Sequence, residues 1–289
     1  MEREINVLSL FDGMSCGQVA LNRANIPYKN YFASEIKKRA IEVTQYNYPN
    51  TIQLGDIKNI KSCDLPKIDL LIAGSPCQDF SRANCERKGL EGEKSKLFYE
   101  FLRILKECKP RFFLLENVIM ENYNYWKICK ELNCEPVRLC GSLVSAALRD
   151  RYYWTNIPPF SVDLFGRLIS NIPPPRDKKI YLNSILETGH AKKRKHNCLN
   201  TTSGGHREQQ DLIHRNNTTG MITLIYEGDR VRTISQVEME RLHNIPFGYT
   251  RILDRSQAGD LIGDGWTIDI IKHIFTPLRQ LFWMDENKI

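Results

Sequence analysis

INVLSLFDGMSCGQVALNRAN, residues 5–25, changes its hydrophobic period halfway along. INVLSLF is a short β-type run, and beyond it Gly13 and Gly17 frame a turn into an amphipathic helix. A strand that passes through a glycine turn into a helix is the opening unit of an α/β sheet, so the next elements decide whether the unit repeats. YKNYFASE reads as a second strand ending on Glu35, and the helix IKKRAIEVTQYNY stops before Pro49. TIQLGDI carries Asp56 on a third short element, followed by the strand IDLLIAG and a polar segment reaching the neighbourhood of Gly92. KSKLFYEFLRILKEC has helical periodicity, RFFLLENV is again a buried strand, and YNYWKICKELN again a helix. Strands and helices alternating at this spacing predict an α/β fold with a doubly wound, mostly parallel sheet.

Residues 158–230 break the rhythm. NIPPPRDKK is a proline-rich connector, and NTTSGGHREQQDLIHRNNTTG is polar and loop-rich without a helical period. Periodicity resumes in TISQVEMERLHNI and in TIDIIKHIFTPLRQLFW. The expected organisation is an α/β domain over 1–157, a small basic insert over 158–230, and a segment over 231–289 that returns to the first domain. Residues 161–230 hold 11 Lys and Arg against 7 Asp and Glu, so part of the chain's net charge of +7 is concentrated there. That balance favours a polyanionic partner, though only weakly by itself.

At 289 residues, 42% hydrophobic and 26% charged, the chain has the composition of an ordinary globular protein with a sizeable core. No apolar run approaches the roughly 18 residues a membrane-spanning helix needs, and MEREINVLSLF has no signal-type core, so a soluble, cytoplasmic protein is expected. Nine cysteines scattered without a CxxC pair argue for reduced thiols and against a disulfide framework. His190, His196, Cys198 and His206 fit no usual zinc spacing, and no metal is expected.

In doubly wound sheets ligands bind beyond the carboxyl ends of the strands, so the residues just after each strand are the candidates. They are Phe11 with Gly13 and Gly17, then Glu35, Asp56, Pro76 with Cys77, and Glu116 with Asn117. A glycine turn lets backbone approach a ligand, and an acid ending the second strand suits ribose hydroxyls. Asp56 is placed either to accept from an exocyclic amine or to cap a helix. An isolated Cys near a strand end is usually a small buried residue. Cys77 is set apart by Pro76, by the small Gly74 and Ser75, and by the polar stretch 78–92, which is long enough to fold over a substrate as a lid. Only the thiolate is a good nucleophile, so Cys77 needs electropositive neighbours, and Arg149 and Arg151 are the candidates. Glu116, on the strand beside that of Cys77, is expected in the same cleft as a proton donor or strong hydrogen-bonding partner.

Set in order, these residues resemble the DNA (cytosine-5)-methyltransferases, in the form carried by the de novo-type catalytic domain and its prokaryotic and phage look-alikes. SLFDGMSCG is similar to the family's cofactor loop, SPCQDFS to its nucleophile loop, ENV to the strand with the catalytic acid, and RDRYYW to its arginine motif. TISQVEMERLHNIP and LIGDGWTID resemble the C-terminal motifs. The resemblance implies a methyltransferase fold with a small target-recognition insert, S-adenosyl-L-methionine as cofactor, double-stranded DNA as partner, and a cognate restriction endonuclease as a further one. It assigns catalysis to Cys77, Glu116, Arg149 and Arg151. Cys77 attacks C6 of a flipped cytosine, Glu116 binds N3, and Arg151 holds the O2 edge.

The cofactor residues implied are Phe11, Asp12, Gly13, Gly17, Glu35, Ile36, Asp56, Ile57, Ser75, Leu97, Asp264, Gly265 and Trp266. DNA contacts fall on Gln78, Ser81, Arg82, Arg87 and Lys88 of the lid, on Lys193, Arg194 and Lys195, and on Thr201 and Thr202 of NTTSGG. The sequence departs from the family in three places. Its cofactor loop reads FDGMSCG rather than FxGxGG, Ala147 and Leu148 replace a Gln-containing stretch, and Asp264 stands where many members carry Asn. Two rival readings share the fold: an RNA cytosine methyltransferase, whose branch usually has PPC in place of SPC, and a catalytically inactive DNA-binding relative. The family is expected in a prokaryotic or phage-encoded setting.

Overall fold

The computed structural model describes residues 4–76, 96–199, 209–219 and 222–283. The elements run β1 (Ile5–Leu10), α1 (Cys16–Arg23), β2 (Tyr28–Ser34), α2 (Lys38–Asn47), β3 (Ile52–Gln53), β4 (Leu70–Gly74), α3 (Leu97–Cys108), β5 (Phe112–Val118) and α4 (Asn122–Leu132). They continue with β6 (Cys134–Glu135), β7 (Val137–Cys140), β8 (Asp150–Thr155), β9 (Phe160–Val162), β10 (Leu168–Ser170), α5 (Gln209–Thr219), β11 (Ile225–Glu227), β12 (Arg230–Arg232), α6 (Gln236–Leu242), α7 (Arg255–Asp264) and α8 (Ile268–Trp283).

Among the described residues the main sheet has seven strands in the order β3-β2-β1-β4-β5-β8-β7. Its first five strands are parallel, while β8 runs antiparallel to β5 and β7 antiparallel to β8. Both faces of the central strands are covered, which is why they read as continuous apolar runs. Val7, Ile72 and Leu114 turn to one face and pack with Val19 and Ala20 of α1 and with Ile271, Phe275 and Leu278 of α8. Their neighbours Leu8, Leu71 and Leu115 turn to the other face, against Phe98 and Phe101 of α3 and Ile128 of α4. Helix α8 packs beside α1, where Arg23 pairs with Asp269 in the first turn of α8 at 2.8 Å.

Several elements escape the sequence pattern. The stretch expected to be loop from 200 to 220 contains α5, a polar helix whose Leu212 is buried. Helix α7 is weakly patterned, with glycines at 259 and 263, and its start is set by Asp254, whose side chain accepts from Gln257 N at 2.8 Å. Strand β10 pairs with β6 as well as with β9, so the expected division at 157/158 cuts through a small three-stranded sheet. The insert is stitched to the loop before β8: Lys178 N donates to Leu143 O, His196 N to Ala146 O, and Leu148 N to His196 O. Among the described residues no helix is long and apolar enough to cross a membrane.

Gly17 lies in the first turn of α1, where a Cβ would stand 2.5 Å from Ile72 Cδ1 and 2.6 Å from Tyr31 Oη. Both side chains are buried, and Tyr31 Oη is held by Asp12 Oδ1 at 2.7 Å, so neither retreats easily. Gly17→Ala is therefore expected to destabilise the fold by about 1–3 kcal/mol. An unchanged urea midpoint would contradict this packing role.

Desolvation pushes the buried His196 imidazole down to about 4 from 6.5. The folded ring is neutral while the unfolded one takes a proton, so this contribution to stability is complete above pH 6.5 and declines as pH falls toward 4. The loss amounts to about 3 kcal/mol. Thermal melts over that window should show a steep acid slope that His196→Gln flattens, and an equal slope in the variant would exclude His196 as its source.

Candidate active site

The in-register parallel strands end on one level, because Leu10 pairs with both Ser34 and Ala73, and Ala73 with Leu115. The next residue on each strand is Phe11, Glu35, Gly74 and Glu116. Beyond β1 the backbone coils tightly, with Phe11 at φ 55°, Gly13 at 60° and Ser15 at 59°. A left-handed conformation at an aromatic residue costs about 1–2 kcal/mol, so the turn is held by its partners. Glu35 supplies much of that hold. Its Oε2 accepts from Gly13 N at 2.8 Å, and its Oε1 accepts from Ile36 N and Lys37 N, each at 2.8 Å. Asp12 Oδ1 accepts from Tyr31 Oη, and Ser15 Oγ donates to Asp12 Oδ2. Desolvation raises the Asp12 carboxyl to about 6, against these hydrogen bonds, which favour its charge.

A cavity of about 410 Å³ opens along this edge. It brings together Phe11, Asp12, Gly13, Glu35, Ile36, Asp56, Ile57, Ser75, Leu97, Asp264, Gly265 and Trp266 with Glu116, Arg149 and Arg151. Gly17 is the exception among the expected cofactor residues. It does not line the cavity, because its place is the close contact of α1 with the sheet. Asp56 both caps a turn, accepting from Lys58 N at 3.0 Å, and lines the cavity. Ile36 stands 70% exposed on the wall, an apolar surface open to a ligand. Trp266 fits against β4 because position 74 is glycine, where a Cβ would stand 2.8 Å from its Nε1.

The antiparallel pairing of β5 with β8 sets Val118 opposite Arg151 and Glu116 opposite Tyr153, so Glu116 and Arg151 share a face as diagonal neighbours. Arg151 Nε lies 2.9 Å from Glu116 Oε1, and both side chains are largely buried. Asn117 Nδ2 donates to Ser75 Oγ at 2.8 Å and ties the end of β5 to the end of β4. Arg149 is buried, and its Nη1 donates to Gly263 O at 3.1 Å, which anchors the end of α7. Lys37 Nζ meets Asp264 Oδ2 at 2.6 Å, joining the two walls.

Cys77, Gln78, Ser81, Arg82, Arg87 and Lys88, with the expected lid over 78–92, lie outside the described residues, as do Thr201 and Thr202. The basic cluster divides. Lys195 was expected to meet phosphate, but its Nζ donates to Ser142 O, Ser145 O and Ile180 O at 2.7, 2.8 and 2.6 Å. An ammonium group has three donors, so that side chain is committed to the fold. Arg194 is exposed, its guanidinium 4.6 Å from the Tyr181 ring centre, and Lys193 reaches Ile222 O at 3.5 Å. Met14, Cys16, Lys37, Lys58 and Gly263 also line the cavity, although none is among the site residues expected from the sequence. Met14 and Cys16 sit inside the quoted turn and were open to inference. Gly263 lies inside LIGDGWTID and was open to inference in the same way, whereas Lys37 and Lys58 carry no such mark.

Residues 5–131 match the model of the C-5 cytosine-specific DNA methylase family. Over 120 residues the chain is 42% identical to the type II methyltransferase M.NlaIV of Neisseria lactamica, covering 40% of this chain and 28% of that protein. Over 117 residues it is 38% identical to the orphan methyltransferase M.SPRI of Bacillus phage SPR, covering 40% of this chain and 26% of that protein. The chain thus spans less than a third of the length of these curated relatives. Among solved structures, the Entamoeba histolytica methyltransferase EhMeth is similar with a TM-score of 0.71 at 14% identity, covering 99% of this chain and all of that one. A Spodoptera frugiperda DNMT2 mutant is similar with a TM-score of 0.63 at 17% identity, covering 95% of this chain and 99% of that one. At these identities the likeness is one of fold.

Proposed function

Because residues 5–131 match the model of the C-5 cytosine-specific DNA methylase family, we propose that the chain transfers the methyl group of S-adenosyl-L-methionine to C5 of a cytosine turned out of duplex DNA. The observation that carries the reading is the shared cavity: the Glu116–Arg151 pair opens on the space that also holds Glu35 and the turn after β1. Its volume of about 410 Å³ is within the usual range for small-molecule sites.

The lining suits this cofactor. Phe11 and the exposed Ile36 offer apolar surface to adenine, Asp56 and Ile57 its edge, and Glu35 an acceptor for the ribose. Asp12 and Asp264 place acidic groups around a cationic ligand, with Leu97 and Trp266 as apolar walls. When bound, the cofactor supplies an electrophilic methyl group on a positively charged sulfur.

The chain's own residues make C5 reactive. Cys77 follows Pro76, which lines the cavity, and its thiolate adds to C6 of the cytosine. Glu116 gives a proton to N3 as electron density leaves the C5–C6 bond, and Arg151 steadies the O2 edge. C5 then has the character of an enamine carbon and accepts the methyl group. A water molecule takes the C5 proton as Cys77 departs as thiolate, and the N3 proton returns to Glu116, which restores the aromatic base. Turning the base out costs a few kcal/mol of stacking. Phosphate contacts from Arg194 and Lys193 position the duplex without reading its sequence. A cognate restriction endonuclease is the further partner this reading proposes.

Cys77→Ala should abolish methyl transfer, and duplex DNA carrying 5-fluorocytosine should trap the wild-type chain covalently, since fluorine blocks the last elimination. Full activity in Cys77→Ala would sink the assignment, and transfer to tRNA but not to duplex DNA would move the same chemistry to RNA. Glu35→Ala should weaken S-adenosyl-L-methionine binding by about tenfold or more, as for a lost charged hydrogen-bonding group. Titrations showing an equal loss of DNA affinity would count against the ribose role.

A further inference from the structure

We propose that Cys198, in the insert, is a positioning residue whose sulfur holds the Arg149 and Arg151 guanidinium groups in place for catalysis; this rests on the methyl-transfer function proposed for the site. Arg149 Nη1 lies 3.4 Å and Arg151 Nη2 3.7 Å from Cys198 Sγ, so one sulfur accepts from both arginines. The other nitrogens of Arg151 are also engaged. Nε faces Glu116 at 2.9 Å and Nη1 donates to Asp150 O at 2.8 Å. A guanidinium is planar with its N–H donors in a rigid fork, so three anchors fix the plane in which it meets a substrate oxygen. Two of those anchors come from β5 and β8, and the third comes from the insert.

Two like charges brought to one point repel, and an acceptor between them offsets that cost. The insert can supply it because the two residues before Cys198 are anchored. His196 is bonded to Ala146 and Leu148 just before Arg149, and Asn197 N donates to Thr223 Oγ1 at 3.3 Å. The thiol responds to its surroundings: desolvation alone would raise its pKa, but the charges of Arg149 and Arg151 and their hydrogen bonds bring it below the ordinary value. A cysteine serving only as a small apolar filler would not be met by two guanidinium groups.

The test compares Cys198→Val, which keeps bulk and removes the acceptor, with Cys198→Ser, which keeps an acceptor. Single-turnover methyl transfer at saturating DNA and cofactor should fall about tenfold in Cys198→Val, the size expected for a hydrogen bond to a charged group, with both affinities unchanged. Cys198→Ser should recover most of the rate. In an Arg151→Ala background Cys198→Val should cost less than it does in wild type, because part of its effect acts through Arg151. Equal losses in the Val and Ser variants, a matching loss of DNA affinity, or additive losses in the double variant would overturn the proposal. A readout without turnover separates it from the function itself: the arginine side-chain N–H signals in NMR spectra should be protected from exchange in wild type and lose protection in Cys198→Val. If wild type methylates no nucleic acid while that difference persists, the proposed function fails and the positioning stands. If wild type methylates and the variant matches it, the positioning fails alone.

Discussion

The register of the parallel strands is the constraint on which the rest of the structure depends. Ser34, Leu10, Ala73, Leu115 and Trp154 form one transverse row of paired residues across five strands. Side chains alternate faces along a strand, so a slip of one residue in any member would move its apolar set from one buried layer to the other. With both layers filled, by α1 and α8 on one side and α3 and α4 on the other, no such slip is tolerated. The consequence for chemistry is direct: the residues just beyond the row emerge at a common height, and Phe11, Glu35, Gly74 and Glu116 face a single space.

Polar groups at that edge are organised by one another. Glu35 gathers three backbone N–H groups and so stabilises a turn that places Phe11 in a left-handed conformation. Arg149 is buried, with Gly263 O and Cys198 Sγ as its acceptors, and it thereby links α7, the start of β8 and the insert. Lys195 closes the same junction by spanning three carbonyls. The basic insert is therefore part of the site's construction.

Much of the α/β layout was legible in the sequence because the parallel core requires uninterrupted apolar runs, and INVLSLF, IDLLIAG and RFFLLENV carry them. The segments that were not legible draw their stability from neighbours. The pattern of α5 is polar, with Leu212 as its buried apolar residue, and α7 is interrupted by buried glycines. Gly17 shows the limit of motif reading: it belongs to the quoted turn, yet it serves helix packing outside the cavity. Lys195 shows another, since net charge in a cluster does not say which ammonium is already spent on carbonyl groups.

By itself the sequence determined the alternation of strands and helices through α4, the acids at the strand ends and the resemblance of its motifs, because periodicity and local spacing are properties of neighbouring residues. Tertiary structure alone decided that Glu116 meets Arg151 across an antiparallel pair, that Asp264 reaches Lys37, and that Cys198 stands between two arginines. These contacts join residues 35, 227, 47 and 49 positions apart. Separations of that size carry no local signal, and only the packing of distant elements brings such groups within bonding distance.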